Sequence, residues 1–502
     1  MGGILANTNT NLVSLWSFIP ELIIMEGMLS IILLEIMPKR RKYIYSSTLG
    51  VIILSLVAVI YMACQSSPLS DSNPLFMGLI VADPFSFFFK IIFLISTLVI
   101  VVVSQSSVEI KDDIRAEYYF LLLVILLGMF LMVSSVNLLM IYLAIELVSI
   151  PSYILAGISK NNKSSNEASL KYVIFGSFAS GLMLFGLSWL YGIAGSTDIF
   201  VIQKALVESG NSLMIFMSLL FVMVGFGYKI SMVPFHYWTP DVYEGAATPV
   251  TAFFSIGPKA AGLGLLIRFF YSVFTDGSNN VLLGVDWTLI IAVLSALTMT
   301  VGNLLALYQD NIKRLLAYSS ISHIGFILIG FCVLSNQALE AMLFYIFIYL
   351  FMNLGAFVVA IFVKNKVDGE NIDSWKGMGF RNPLISAFMV ICLVSLAGLP
   401  PTSGFVAKFY VLAELFRLES YRWLAVVAII NSVVSLYYYF RIVKSMYFLS
   451  SDEEQASLEK VESNQINKWI IIVLSVQPLI FYIYWSPLLE FIKHSLIMWG
   501  PS

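Results

Sequence analysis

Asn137-Leu138-Leu139-Met140-Ile141-Tyr142-Leu143-Ala144-Ile145-Glu146-Leu147-Val148-Ser149-Ile150-Pro151-Ser152-Tyr153-Ile154-Leu155-Ala156-Gly157-Ile158-Ser159 carries one charged side chain, Glu146, and its reading decides the fold. As a helix, roughly 20 apolar residues cross about 30 Å of hydrocarbon, so this run is long enough to span a membrane. It does not alternate apolar with polar residues as a barrel strand would. Applied along the chain, the same ruler finds fourteen runs, at approximately 12–36, 43–64, 83–104, 117–135, 137–159, 168–194, 212–234, 249–274, 286–308, 312–334, 338–363, 383–416, 421–448 and 467–490. The expectation is an all-α polytopic membrane protein of about 14 transmembrane helices.

Composition agrees. Of the 502 residues 59% are hydrophobic and 12% charged, where a soluble domain carries roughly 25% charge. No polar linker divides the chain into soluble domains. With 28 Lys+Arg against 30 Asp+Glu there is no basic excess, which argues against nucleic acid as a partner. Cys64, Cys332 and Cys392 lie far apart in apolar runs, a spacing that fits no disulfide framework, zinc site or iron–sulfur cluster. The first run lacks a leading positive charge and is interrupted by Glu21, Glu26 and Glu35, unlike a cleavable signal peptide.

Loop charge sets orientation. If Lys39-Arg40-Arg41-Lys42 is cytoplasmic, 19 of the 28 basic residues fall on inside loops and five outside (Lys204, Arg268, Arg417, Arg422, Lys493). Lys90, Lys229, Lys259 and Lys408 stay inside apolar segments. Both termini then face outward. Ser450 to Asn467 reads as a charged cytoplasmic connection, and 367–382, with Trp375, Lys376 and Arg381, as an interfacial segment.

A charge at mid-bilayer costs several kcal/mol on most scales (about 2.5–3.5 on the lowest), so each one is a functional hypothesis. Glu146, nine residues after Asn137, is too deep and too short to snorkel, and Lys259 is similarly deep. His323 is central in its run and reads either as a proton carrier or as a satisfied core histidine. Lys229 lies five residues before Pro234, where snorkelling and function both remain open. Lys90 reads as a snorkeller. Lys171 follows Ser164-Ser165-Asn166-Glu167, a fit to a capping box with an i,i+4 pair.

Helix breakers sharpen the lysines. Gly225 and Gly227 precede Lys229, Ser255-Ile256-Gly257-Pro258 precedes Lys259, and Gly398-Leu399-Pro400-Pro401-Thr402-Ser403-Gly404 precedes Lys408. Such breaks free backbone groups that must face protein or water in a membrane. Glu146 and Lys229 are 83 residues apart, His323 and Lys408 85. The second pair lies five spans after the first, an odd shift that would invert a repeat in the membrane.

No catalytic triad, phosphate loop or haem-ligand pair is visible. The three histidines, His236, His323 and His494, are too few for a multi-haem path. What remains is a row of protonatable groups inside a membrane, the physical basis of a proton relay. Opposite charges about 4 Å apart interact by about 4 kcal/mol at an effective dielectric near 20. Moving Glu146 towards or away from Lys229 would therefore load or empty the lysine, against a cost of about 2.3 kcal/mol per proton per 100 mV. The driving energy must come from elsewhere, because the chain shows no nucleotide or redox site.

The stretch Met232-Val233-Pro234-Phe235-His236-Tyr237-Trp238-Thr239-Pro240-Asp241-Val242-Tyr243-Glu244-Gly245-Ala246-Ala247-Thr248-Pro249-Val250-Thr251-Ala252-Phe253, continuing to Pro258-Lys259, resembles the signature of the antiporter-like subunits of respiratory complex I. Glu167-Ala168-Ser169-Leu170-Lys171-Tyr172, the run from Asn311 through Lys313-Arg314 to His323, and Gly398-Leu399-Pro400-Pro401 to Lys408 match as well. The likeness covers roughly 80–450 and is greatest to the N-type branch, that of mitochondrial subunit 2. M-type relatives carry a glutamate at the position of Lys408, and L-type relatives have a lateral helix for which no residues remain. Ala247 replaces a usual proline, a change expected to loosen the cytoplasmic entry to the eighth span.

The resemblance implies an N-terminal three-helix segment at 1–110, inverted five-helix repeats at 111–280 and 281–450, and a cytoplasmic linker with the last helix at 451–502. It implies that Glu146 and Lys229 are a switch pair, Lys259 the central relay, His323 the connection, Lys408 the outward exit, and Lys171 ancillary. It further implies a proton-translocating subunit of a NAD(P)H or ferredoxin:quinone oxidoreductase, with no cofactor, metal or redox centre of its own. Quinone, NADH, FMN and iron–sulfur clusters would belong to other subunits. Partners would be other membrane subunits and lipids. The setting would be a bacterial inner membrane, with an organelle inner or thylakoid membrane as other possibilities. The alternative is a subunit of a multi-subunit cation/proton antiporter, which shares the fold. A reporter fused after Ser502 is expected to face the outside; a cytoplasmic signal would refute the fourteen-span topology.

Overall fold

The computed structural model describes residues 14–65, 74–209, 212–275, 286–367, 369–448 and 465–498. Residues 12–13, most of the expected connection at 450–467 and the C-terminal residue Ser502 lie outside them. The helices are α1 (Ile19–Ile36), α2 (Ile44–Gln65), α3 (Pro84–Ser104), α4 (Arg115–Ser134), α5 (Leu138–Ala156), α6 (Lys163–Ala194), α7 (Ile199–Ser209), α8 (Ser212–Ile230), α9 (Trp238–Gly245), α10 (Thr248–Phe254), α11 (Gly257–Val273), α12 (Trp287–Leu307), α13 (Ile312–Leu328), α14 (Asn336–Lys366), α15 (Pro383–Ala397), α16 (Ser403–Phe416), α17 (Arg422–Tyr447), α18 (Gln465–Ile483) and α19 (Ser486–Ser495). Among the described residues the only β pairing is four isolated bridges in loops.

Among the described residues eleven spans are long and apolar enough to cross a membrane, and twelve if the bent pair α18–α19 counts as one. Two expected spans fall short of that measure. The first corresponds to α1, which carries Glu21, Glu26 and Glu35. The twelfth is split into α15 and α16, of 15 and 14 residues. The last expected run, 467–490, is also interrupted: after Ile483 the chain turns through 93° into α19. The most enclosed elements are α10–α11 and α13, with the 31-residue α14 beside them.

Loop contacts sort into two ends. At one, Thr248 N donates to Glu109 Oε2 (2.8 Å), Val108 N to Asn365 Oδ1 (3.1 Å), Ile312 N to the Glu370 carbonyl (2.8 Å), and Arg441 pairs with Asp310 (2.6 Å). At the other, Leu138 N bonds the Thr197 carbonyl (2.8 Å), Trp287 Nε1 the Phe274 carbonyl (3.2 Å), and Thr288 meets Tyr421 (2.7 Å). In these bonds each loop expected inside meets another expected inside, and each loop expected outside meets another expected outside.

Three expectations are corrected. Lys90 does not snorkel: it is 1% exposed and pairs with Glu21 Oε1 at 2.6 Å, between the rings of Phe87 and Phe130. The glutamate that interrupts the first apolar run is thus the buried partner of a lysine 69 residues away. Arg268 is no loop residue. It lies buried in α11, makes two 2.8 Å bonds to the Asp83 carboxylate and a third to the Val133 carbonyl, and stacks over Phe85. Trp375 packs inside the protein rather than at an interface.

Asp83 also caps α3 through Ser86 N (2.9 Å), so one carboxylate serves a helix terminus and a guanidinium. Removing one partner of a buried pair typically costs about 3–5 kcal/mol, because the other charge is left uncompensated. Arg268→Met is expected to lower thermal stability by that order. The double variant Asp83→Asn/Arg268→Met should recover most of it, since Asn is also a good N-cap; melting of the purified protein checks both.

Candidate functional site

The lysines stand next to breaks in their helices. The first break is displaced from its expected place: α8 runs unbroken through Gly225 and Gly227 and ends at Ile230, after which Ser231 turns left-handed (φ 64°) and leads into α9. The other two fall at Ser255-Ile256, between α10 and α11, and at 398–402, between α15 and α16.

Lys229 is buried, not snorkelling, and its Nζ bonds Ser149 Oγ at 3.0 Å. Ser149 lies one helical turn beyond Glu146 on α5. Glu146 and Lys229 thus share a site, but the described salt bridges do not include them as a pair, and Glu146 Oε1 has no hydrogen-bond partner among the described residues. A methyl at Gly262 would meet Ile230 Cγ2 at 2.8 Å and Lys229 Cγ at 3.3 Å. Glycine there lets Lys229 lie against α11, one turn from Lys259.

Lys259 is 1% exposed, its Nζ bonds Ser320 Oγ at 2.6 Å, and the Tyr243 ring lies under it at 5.2 Å. Ser320 is one turn before His323 on α13. His323 is held between two phenols, Tyr345 at Nδ1 (2.8 Å) and Tyr439 at Nε2 (3.2 Å), with Tyr349 against its ring face. Three residues on, Phe326 lies under Lys408 Nζ at 4.7 Å. One face of α13 therefore touches Lys259, carries His323 and reaches Lys408.

Lys408 Nζ bonds the Ala397 carbonyl at 2.8 Å and Ser432 Oγ at 3.1 Å. Ala397 is the last residue of α15, so the ammonium sits on freed carbonyls at the negative end of a helix. Gly398 is required twice: its φ is +81°, and a methyl there would meet Lys408 Cδ at 2.6 Å.

Lys171 is not brought into this row. It lies at the end expected to face inside, paired with Glu167 (2.8 Å) and Asp241 (2.7 Å). The expected capping box is absent as drawn, because Asn162 caps α6 by accepting from Ser164 N. Asp241 also binds Arg314 (2.7 Å), which reaches Glu244 (2.8 Å), while Lys313 binds Glu370 (2.9 Å). At Ala247 the backbone (φ −59°) already has the dihedral a proline would impose.

Sequence reasoning missed the oxygen partners: Ser149, Ser320, Tyr345, Tyr439, Ser432 and Asp241. A signal existed for two of them, since Ser149 and Ser320 stand three residues from Glu146 and His323, on the same helix face.

A multi-pass helical membrane protein whose broken helices hold buried lysines against hydroxyls and carbonyls is thereby defined. Residues 135–435 match the family described as NADH:quinone oxidoreductase/Mrp antiporter, transmembrane. The chain belongs to that family. It is 40% identical over 493 residues to NADH-quinone oxidoreductase subunit N 2 of Chloroherpeton thalassium, covering 96% of this chain and 95% of the relative. To the protein of the same name from Sorangium cellulosum it is 42% identical over 512 residues, covering 98% and 99%. A chain in the structure of respiratory complex I from Thermus thermophilus with bound aureothin superposes with a TM-score of 0.76 at 28% identity, over 94% of this chain and 98% of that one.

Burial would raise the proton affinity of Asp241, but the hydrogen bonds from Lys171 and Arg314 outweigh it and hold the carboxyl below its ordinary range. A carboxyl depressed on folding contributes stability that is complete above its unfolded pKa of about 3.9 and is lost as pH falls through the lower folded value. Asp241→Asn should therefore flatten part of the fall in melting temperature below about pH 4, and change little of its slope near neutrality.

Proposed function

We propose that this chain is the N-type proton-translocating membrane subunit of a complex I-type quinone oxidoreductase. Protons move through Glu146, Lys229, Lys259, His323 and Lys408. The observation that carries the reading is the row itself: each cationic or imidazole nitrogen is buried and bonded to an oxygen, Lys229 to Ser149, Lys259 to Ser320, His323 to two phenols, Lys408 to Ala397 and Ser432. The names of the relatives, NADH-quinone oxidoreductase subunit N, support it. The alternative, a subunit of a cation/proton antiporter, is compatible with the family description, but relatives at 40% and 42% identity favour the first reading.

Glu146 and Lys229 are the switch. Lys229 rests on Ser149, and a swing of one turn along α5 brings it to Glu146, where the charged ammonium gains about 4 kcal/mol at contact distance. Retreat from Glu146 releases that gain and makes the proton available to Lys259 across Gly262. From Lys259 the proton passes by Ser320 to His323 and on to Lys408 at the outward side. Lys171, tied to Asp241, anchors the inside-loop end instead of carrying protons.

Two five-helix units, 111–280 and 281–450, follow the N-terminal segment 1–110 and precede 451–502. Their likeness is supported by α8 and α15, which both end on a left-handed residue, Ser231 and Gly398, three residues before a proline. The subunit holds no redox centre; quinone, NADH or ferredoxin, FMN and iron–sulfur clusters act in neighbouring subunits. It resides in a bacterial inner membrane with both termini outside.

Lys259→Ala, or Glu146→Ala, in the reconstituted complex is expected to lower proton translocation and the quinone reduction coupled to it, with assembly retained. Normal pumping by an assembled variant would remove that residue from the relay.

A further inference from the structure

Helix α17 carries no Asp, Glu, Lys, Arg or His between Trp423 and Phe440, yet five polar side chains share one side of it at membrane depth. Asn431, Ser432, Ser435, Tyr438 and Tyr439 fall at i, i+1, i+4, i+7 and i+8, the spacing of a single helix face. They form two stripes with different chemistry.

The first stripe is an amide brace. Tyr438 OH donates to Asn303 Oδ1 (3.0 Å), Asn303 Nδ2 donates to Asn431 Oδ1 (3.0 Å), and Asn431 Nδ2 donates to Thr300 Oγ1 (3.1 Å). These bonds fasten α17 to α12. An amide nitrogen only donates and its oxygen only accepts, so this stripe holds helices together without passing a proton along.

The second stripe is made of hydroxyls, each of which can accept and donate at once. Tyr439 OH meets His323 Nε2 at 3.2 Å and also contacts Ser319 Oγ. Ser432 Oγ accepts from Lys408 Nζ at 3.1 Å, and Ser435, whose hydroxyl donates to the Ser432 carbonyl at 2.7 Å, stands between Ser432 and Tyr439 along the helix, one turn from each. The ends of this row are the two groups between which the relay must move a proton. Seven residues separate Ser432 from Tyr439, about 10.5 Å of helix rise. A tyrosine leans toward the helix N-terminus, which shortens the interval between its hydroxyl and Ser435, and the proposed path crosses what remains through water.

We propose that Tyr439 passes the proton between His323 and Lys408, with Ser435 and Ser432 completing the row. The inference rests on the relay assigned above and names the residues that connect His323 to Lys408. His323, made an imidazolium by the proton received from Lys259, gives its Nε2 proton to the phenol oxygen and returns to neutral imidazole, while the phenol's own proton leaves toward Ser435. The Lys408 amine takes up the proton delivered through Ser432. One N–H bond breaks and one forms, and Tyr439 ends as a neutral phenol. Tyr438, its hydroxyl committed to Asn303, is a positioning residue.

The test compares variants in the assembled complex reconstituted in liposomes, reading protons moved per electron pair and the effect of deuterated water. Tyr439→Phe keeps the ring and removes the hydroxyl; it is expected to lower the proton-to-electron ratio and change the solvent isotope effect. Tyr438→Phe is expected to keep the ratio and lower the melting temperature. Ser432→Ala should lower the ratio and Ser432→Thr, which keeps a hydroxyl, should restore it; this pair decides the matter if Tyr439→Phe fails to assemble. A wild-type ratio in assembled Tyr439→Phe, or equal ratios in the two Ser432 variants, would overturn the proposal. His323→Ala and Lys408→Ala run alongside: if they pump normally the relay itself fails and the proposal with it, whereas if they fail and Tyr439→Phe does not, only the proposal falls.

Discussion

An ammonium group held inside a membrane must be given oxygen atoms, and the rest of this structure follows from how it finds them. In an intact helix the carbonyls already accept in the i→i−4 ladder and have only their second lone pairs to offer. A broken helix frees them. Lys408 rests on the last carbonyl of α15, and serines on neighbouring helices complete the set for Lys229, Lys259 and Lys408. The breaks are thus part of the charge chemistry and not irregularities in an otherwise uniform bundle. Where no break is near, the solution is a counter-charge, as for Lys90 with Glu21 and Arg268 with Asp83.

Helix α13 makes a row out of these separate sites. Ser320, His323 and Phe326 follow one another at three-residue steps, and they meet Lys259, the tyrosine pair and Lys408 in turn. Its first turn is fixed by loop and short-helix partners. Lys313 binds Glu370 and the Ala246 carbonyl, and Arg314 binds Asp241 and Glu244. Asp241 holds Lys171 of α6 as well, so one carboxylate ties the element before the α8 break to the helix that continues the row. A single helix with lysine contacts along one face suits the proposed relay, because it lines up donors and acceptors in order.

The lysines were legible in the sequence because composition forbids charge at that depth, so each exception stands out. Their state was less legible. Lys229 was open between snorkelling and function, and the structure buries it on Ser149. Its break was expected at Gly225 and Gly227 but lies after Ile230, since two glycines weaken a packed helix without ending it, whereas the left-handed Ser231 does end it. Lys90 was misread because depth along a span says nothing of a glutamate on another helix. Arg268 was misplaced for the same reason. The hydroxyl stripe of α17 stayed hidden because serine and tyrosine in an apolar helix carry no charge to mark them.

By itself the sequence determined the class of protein, the approximate position of its spans, its family likeness, and the five ionisable residues that stand where charge is costly. Those are properties of local composition and periodicity, which hydrocarbon thickness and helix geometry translate directly into structure. Only the tertiary structure decided which oxygen each nitrogen meets. Lys229 with Ser149, Lys259 with Ser320, His323 with Tyr439 and Arg268 with Asp83 are 80, 61, 116 and 185 residues apart. Contacts at such separations are set by how helices pack against one another, and no pattern within a single helix encodes them.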